Sequence, residues 1–276
     1  MEFRGHNVIV TGGSSGIGKA TARLLVRAGA NVAIVARRQT LLDGALANFE
    51  TERVDRSQVF RAYSADLSDW DQAQACFWSL TADGRTPDVL INCAGMARPG
   101  YFEQLSIEFF RKTMDIDFFG TLHPCKLVAP MMIRRGRGHI VNFSSVAGYL
   151  GVFGYTAYSA AKFAVRGFTD VLRSELRPHG VRVSIVFPPD TRTPQFYSEN
   201  MYKPLETERI SGTIKPVEPE RIAQAVIRAI KRRQYIVVPD RKVHLTYALT
   251  NGIQGVARKY FDRVIARTRR ERNCSS

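Results

Sequence analysis

A tyrosine and a lysine four residues apart are the side chains in this sequence best placed to do chemistry. Tyr158 and Lys162 share one face of a predicted helix, because residues i and i+4 are neighbours on a helix. A tyrosine with its ordinary pKa of about 10 exchanges protons poorly at neutral pH, but a nearby cation stabilises the phenolate and lowers that pKa. Ser144 and Ser145 close the preceding predicted strand, where a hydroxyl can hydrogen-bond the same carbonyl. The set predicts proton transfer to a carbonyl oxygen.

A glycine-rich turn near the start of the chain predicts a nucleotide site. It follows the first predicted strand, opens the first predicted helix and contains Gly12, Ser14, Ser15, Gly16, Ile17 and Gly18. Glycine lets the backbone approach a pyrophosphate, whose charge is favoured by the N–H groups and the positive end of a helix. The second predicted strand ends at Arg37 and Arg38, where guanidinium groups can pair with the 2′-phosphate of NADPH. NADPH is therefore favoured over NAD, although Arg38 can equally begin a solvated helix.

Short β-branched runs alternate with amphipathic stretches along most of the chain. Strands are predicted at 8–10, 31–35, 58–63, 89–92, 139–143 and 182–187, and helical periods at 18–27, 69–80, 107–135 and 163–177. Such alternation implies βαβ crossovers and a parallel sheet covered by helices on both faces. One doubly wound α/β domain over residues 1–240 is the simplest arrangement.

Composition excludes several classes of protein. The chain has 276 residues, of which 45% are hydrophobic, so it can bury a core and is not disordered. Its four cysteines have no metal-ligand spacing, which predicts neither a disulfide framework nor a metal site and suits the cytoplasm. The N-terminus does not resemble a signal peptide, and no uncharged run approaches the ~20 residues that span a bilayer. Any membrane contact is expected to be peripheral.

Four motifs together resemble the short-chain dehydrogenase/reductase family: Thr11-Gly12-x-x-x-Gly16-Ile17-Gly18, Asn92-Cys93-Ala94-Gly95, Ser145 and Tyr158-x-x-x-Lys162. They occur in the family's order and spacing. The resemblance implies a single Rossmann domain with a seven-stranded parallel sheet, assembled as a homodimer or homotetramer.

The same resemblance implies roles for individual residues. Tyr158 would be the general acid, Lys162 would bind the nicotinamide ribose and lower the Tyr158 pKa, and Ser145 would hold the substrate oxygen. Ser145 is preferred to Ser144 because it lies thirteen positions before Tyr158, which is the family's usual interval. The further positions implied at the cofactor are Asp66 and Leu67 beside the adenine, and Asn92, Ala94, Gly95, Pro188 and Thr191.

Two positions depart from the family pattern. Asp117 stands where the family usually has a catalytic asparagine. An aspartate can accept a hydrogen bond from an ordered water in a proton relay, but it cannot donate one. It can also pair with Lys162 or satisfy only local backbone, so its catalytic role stays open. Pro188-Pro189 replaces the usual Pro-Gly, which removes a backbone donor and stiffens the turn.

Residues 150–154, 187–194 and 199–211 resemble a narrower group, the 3-ketodihydrosphingosine reductases of sphingolipid synthesis. Such enzymes reduce a long-chain sphingoid ketone to dihydrosphingosine with NADPH. Two alternatives remain open. One is a reductase of another hydrophobic ketone, such as a retinoid, a steroid or a long-chain acyl ketone. The other is a non-catalytic protein that binds NADPH or lipid, against which the intact Ser145, Tyr158 and Lys162 argue.

The segment 188–219 is long for a connection and leaves the carboxyl end of a predicted strand, where ligands of open α/β sheets bind. It predicts a substrate lid. Phe196, Tyr197, Met201 and Tyr202 could cover an alkyl chain or pack on the body. The alternative is a surface excursion with a short helix of its own.

The formal net charge of +15 lies mostly at the C-terminal end. Residues 228–276 hold 13 Lys+Arg and 3 Asp+Glu, so they carry +10 of that total. Apolar residues recur at 253, 256, 257, 260, 261 and 264 on one face of a predicted basic amphipathic helix within 241–276. A basic amphipathic helix of this kind predicts that the protein contacts the cytoplasmic face of an anionic membrane. Packing on the enzyme or a partner copy, or a disordered tail, are the alternatives. No nucleic-acid-reading motif accompanies the charge, so no nucleic-acid partner is expected.

Overall fold

A computed structural model describes residues 3–211, 215–240 and 243–250. Its strands are β1 (Asn7–Thr11), β2 (Asn31–Ala36), β3 (Phe60–Ser64), β4 (Val89–Asn92), β5 (Gly138–Phe143), β6 (Val181–Val186) and β7 (Ile236–Val237). They form one parallel sheet in the order β3-β2-β1-β4-β5-β6-β7. The predicted seven-stranded parallel sheet is confirmed, and its strand order reverses between β1 and β4.

Helices cover both faces of this sheet. They are α1 (Gly16–Arg27), α2 (Gln39–Thr51), α3 (Trp70–Thr81), α4 (Ile107–Met114), α5 (Gly120–Arg135), α6 (Thr156–Leu176), α7 (Pro194–Asn200), α8 (Leu205–Ser211) and α9 (Pro219–Arg232), and residues 243–250 are also helical. Because side chains alternate along a strand, Val8 and Val10 pack with α1, α2 and α9, whereas Ile9 packs with α3, α5 and α6. The doubly wound arrangement follows from this alternation.

The predicted helical stretch 107–135 is interrupted in the structure. A π-helical turn, Asp115–Phe119, separates α4 from α5. The wider turn carries Asp117 into the interior, where its side chain is fully buried. Such turns recur at functional sites, because the extra residue changes the direction of the neighbouring side chains.

The segment 188–219 has two short helices, α7 and α8, and backbone contacts join its two ends. A parallel bridge joins Thr191 to Val217, with the Arg192 N–H donating to the Val217 carbonyl at 2.9 Å. Its far side rests on the loop before α6, where Thr207 Oγ1 donates to the Phe153 carbonyl at 2.9 Å. The segment therefore lies folded against the body.

Residues 243–250 also belong to the body. Val243 and Tyr247 are buried, and the Tyr247 ring lies 5.1 Å from that of Tyr149 and 5.2 Å from that of Phe187. The domain was expected to end at residue 240, but the described residues 243–250 pack onto it. The predicted amphipathic helix at 253–264 lies outside the described residues. Within 3–211, 215–240 and 243–250, every helix is too short or too polar to cross a bilayer.

Candidate active site

The loops at the carboxyl ends of the strands and the segment 188–219 line one cavity of about 940 Å³. It lies where the strand order reverses, which is the usual ligand site of open α/β sheets. Of the predicted site residues, those on the cavity wall are Gly12, Ser14, Ser15, Gly16, Ile17, Gly18, Arg37, Arg38, Asp66, Leu67, Ala94, Gly95, Asp117, Ser145, Tyr158, Lys162, Pro188 and Thr191.

Asn92 is the predicted residue that the structure does not bring to the cavity wall. Its side chain is buried, and Asn92 Nδ2 donates to Asn142 Oδ1 at 2.9 Å. The same amide contacts Cys125 Sγ at 3.2 Å. Asn92 therefore links β4 to β5 and α5 in the core.

The glycine-rich turn has the geometry that a phosphate requires. Gly12 has φ +67°, and a Cβ there would lie 2.8 Å from the Ala94 nitrogen, so a larger residue is excluded. The Ser15 side chain does not cap α1, and the first turn of that helix has no acidic residue. The N-terminal N–H groups of α1 thus offer donors and a positive partial charge to an anion.

Two arginines stand at the carboxyl end of β2. The Arg37 side chain is 55% exposed, and its Nη1 lies 3.8 Å from Asp66 Oδ2. Arg38 is exposed at the start of α2. Both line the cavity, and guanidinium donors suit a ribose phosphate. The residues present therefore fit a phosphorylated dinucleotide.

Tyr158 lies in the first turn of α6 and shares the cavity wall with Ser145, whose side chain favours the charged form of the phenol. The Ser145 hydroxyl also accepts from the Ala147 N–H at 3.2 Å. Ser144 Oγ instead donates to the Lys162 carbonyl at 2.9 Å. The two serines are thereby separated, and Ser145 is the one that faces the tyrosine.

Lys162 and Asp117 form a buried ion pair behind the tyrosine. Lys162 Nζ lies 3.2 Å from Asp117 Oδ1 and 5.6 Å from the centre of the Tyr158 ring. Asp117 Oδ1 also accepts from the Met96 N–H at 3.0 Å. A Cβ at Gly95 would lie 2.5 Å from that oxygen, so glycine is required there. Asp117 therefore both pairs with Lys162 and satisfies backbone.

The pKa of Tyr158 is raised well above its ordinary value. Burial is the main cause, the negative charges of Asp117 and Glu199 add to it, and the hydrogen bond with Ser145 opposes it. The predicted lowering of this pKa is not seen, because burial and these negative charges outweigh the effect of Lys162, which forms an ion pair with Asp117. Burial also raises the pKa of Asp117, against the opposing effects of Lys162 and the Met96 N–H. The Tyr158 phenol therefore keeps its proton at neutral pH.

A buried carboxylate on the segment 188–219 was not predicted as a site residue. Glu199 is 8% exposed and lines the cavity. Its Oε2 accepts from the Tyr155 hydroxyl at 2.9 Å, and its Oε1 accepts from Gln195 Nε2 at 2.8 Å. The Tyr155 ring lies 5.7 Å from that of Tyr158. In the sequence, Glu199 appeared only as part of residues 199–211, which resemble the narrower reductase group.

The apolar residues expected to cover an alkyl chain divide into two pairs. Phe196 and Tyr202 line the cavity. Tyr197 and Met201 point outward and are 61% and 72% exposed. The Arg98 guanidinium stacks 4.3 Å from the centre of the Tyr202 ring. One side of the segment is thus available to a ligand within the cavity.

This fold and site define a class of protein: the chain belongs to the short chain dehydrogenase family, whose model matches residues 6–202. It is 41% identical over 229 residues to a 3-ketodihydrosphingosine reductase from Bos taurus, covering 83% of this chain and 69% of that protein. It is 36% identical to a 3-ketodihydrosphingosine reductase from Dictyostelium discoideum, covering 96% and 84%. A solved short-chain dehydrogenase from Sphingobium yanoikuyae, in complex with NADPH, matches with a TM-score of 0.79 and 30% identity over 91% of this chain and 94% of that one.

Proposed function

We propose that this protein reduces the ketone of 3-ketodihydrosphingosine to the alcohol of dihydrosphingosine, with NADPH as reductant. The observation that carries the proposal is that Tyr158, Ser145 and Lys162 line the same cavity as the glycine-rich turn. The two curated reductases described above make the sphingoid ketone the favoured substrate. Apolar Phe196 and Tyr202 offer surface for its chain.

The chain's own residues supply binding and the proton. Bound NADPH would supply the hydride that reduces the carbonyl carbon. The Ser145 hydroxyl hydrogen-bonds the ketone oxygen and orients it towards Tyr158. Tyr158 then donates its phenolic proton to that oxygen, which completes the alcohol, and the phenolate recovers a proton from solvent. Lys162 compensates the phenolate's charge, while Asp117 holds the lysine in place.

The cofactor-binding residues follow from the wall of the cavity. The turn with Gly12 and Gly16 would hold the pyrophosphate against α1, and Arg37 and Arg38 would pair with the 2′-phosphate of NADPH. A structure of the NADPH complex in which neither arginine contacts that phosphate would contradict the assignment.

A pair of tyrosine variants tests the proposed reaction. Tyr158→Phe should lower kcat for 3-ketodihydrosphingosine by about 10²- to 10⁴-fold, because a general acid contributes that much. Tyr63→Phe is the matched control and should keep its activity, because Tyr63 lies on β3, packs partly buried against the core and does not line the cavity. NADPH oxidation is followed by absorbance at saturating substrate. Equal turnover by wild type and Tyr158→Phe would contradict the proposal.

Two further proposals concern membrane binding and oligomeric state. The basic residues after position 250 would hold it on the cytoplasmic face of an anionic membrane, since each near-surface Lys or Arg contributes about 1 kcal/mol. The full chain should co-sediment with anionic liposomes, whereas a chain ending at residue 250 should not.

A homodimer or homotetramer would cover the exposed Phe163 and Val171 on α6. Light scattering measures the oligomeric state.

A further inference from the structure

The Glu199 carboxylate is buried, yet the donors that hold it are neutral. Tyr155 and Gln195 each give one hydrogen bond, one to each oxygen. An ionised carboxylate has about four acceptor positions, so about two remain available. Among the residues described, the cation whose charge acts on Glu199 is Lys203, but Lys203 Nζ forms its ion pair with Asp190 at 3.2 Å. Within the part of the chain that the structure describes, the Glu199 carboxyl group lines the cavity and forms no ion pair.

A buried carboxylate that is held only by neutral donors is energetically unfavourable. Burial disfavours its charge and raises the pKa of Glu199, with Asp190 adding to the effect. A cation brought into the cavity would receive a charge-assisted hydrogen bond and remove that penalty. The chemistry of the position therefore favours a positively charged ligand group.

The carboxylate also lines the same cavity as Tyr158. Its Tyr155 partner packs beside Tyr158, and the Glu199 charge contributes to the raised pKa of Tyr158. A cationic group bound by Glu199 would share the cavity with the carbonyl that Tyr158 protonates. An amine attached near the ketone of a substrate fits this arrangement.

We propose that Glu199 binds the ammonium group of the substrate and selects 2-amino ketones over simple ketones. The inference rests on the proposed function, since 3-ketodihydrosphingosine carries its amine on the carbon next to the ketone. Asp190 also lines the cavity, but it already has an ion-pair partner in Lys203. The alkyl chain would then extend along the apolar wall with Phe196 and Tyr202.

Glu199→Gln and two matched ketones test this role. One ketone is 3-ketodihydrosphingosine, and the other is the same 1-hydroxy-3-ketone without the 2-amino group. Glutamine keeps an acceptor for Tyr155 but lacks the charge, so kcat/KM for the amino ketone should fall about 10- to 100-fold, the value of a hydrogen bond to a charged group. The value for the desamino ketone should stay within about threefold. Glu206→Gln, an exposed glutamate that accepts from the Tyr101 hydroxyl, is the control and should change neither.

The outcomes separate this inference from the proposed function. If wild type reduces the desamino ketone but not 3-ketodihydrosphingosine, the proposed function fails. If wild type reduces the amino ketone, the proposed function stands. If Glu199→Gln then lowers kcat/KM equally for both ketones, or for neither, the role of Glu199 in binding the ammonium group is overturned.

A measurement on wild type covers the case in which Glu199→Gln does not fold. Dihydrosphingosine should inhibit at least about tenfold more strongly than its N-acetyl derivative, which has no ammonium group to pair with a carboxylate. Equal inhibition by the two would overturn the proposal without any variant.

Discussion

Asp117→Asn should move the alkaline limb of the reductase pH profile to lower pH. Tyr158 must be protonated to act as an acid, so activity is lost as the pH rises through its pKa. The buried negative charge of Asp117 is a principal cause, after burial itself, of the raised pKa of Tyr158. Asparagine removes the charge and keeps an acceptor oxygen for Lys162 and the Met96 N–H.

The size of the shift follows from the distances. The contacts through Lys162 place Asp117 within about 9 Å of the Tyr158 ring. At an effective dielectric constant of about 20, a unit charge at that distance changes the free energy of ionising Tyr158 by about 2 kcal/mol, which is roughly one pH unit. The uncompensated charge of Lys162 acts in the same direction. We therefore expect the alkaline limb to fall by at least about one unit.

The assay is kcat/KM as a function of pH, with saturating NADPH and a long-chain ketone that lacks an amine, so that the substrate itself does not titrate. Asp115→Asn is the matched control, because Asp115 lies in the same π-helical turn but is exposed. Its profile should coincide with that of wild type. An unchanged alkaline limb in a folded Asp117→Asn protein would refute the electrostatic account of the Tyr158 pKa.

Three other substitutions follow from the same geometry. Arg37→Ala should raise KM for NADPH about 10- to 100-fold and leave KM for NADH nearly unchanged, and equal losses would contradict the phosphate contact. Gly95→Ala should displace the Asp117 carboxylate and lower kcat while cooperative urea unfolding persists; wild-type kcat would contradict the close packing. Tyr247→Ala should lower the free energy of unfolding by about 3–5 kcal/mol, against less than about 0.5 for the exposed Leu249→Ala, and equal urea midpoints would disprove its packing role.

Much of the fold was predictable because its signals are local. Each buried strand is a short β-branched run, and four of the six strand predictions, at 8–10, 31–35, 89–92 and 139–143, lie within the observed strands. The predicted helix over 107–135 was wrong as one continuous element. Amphipathic periodicity tolerates a single π-helical turn, so the pattern does not reveal the change at Asp115–Phe119.

The sequence by itself determined which side chains share a surface when a helix or a turn sets their separation. Tyr158 and Lys162 are four residues apart, so helix geometry alone places them on one face. The glycine-rich turn likewise opens α1 because of its place between strand and helix. The family and the phenolic acid both follow from such local spacing.

Only the tertiary structure decided how distant residues change that chemistry. The Lys162–Asp117 pair joins α6 to the π-helical turn. The Tyr155–Glu199 hydrogen bond joins the residue just before α6 to the segment 188–219. Neither contact has a periodic signature, because each depends on how separately folded elements pack. Burial then reverses the sign expected for the Tyr158 pKa, since desolvation is a property of the packed interior and not of residue order.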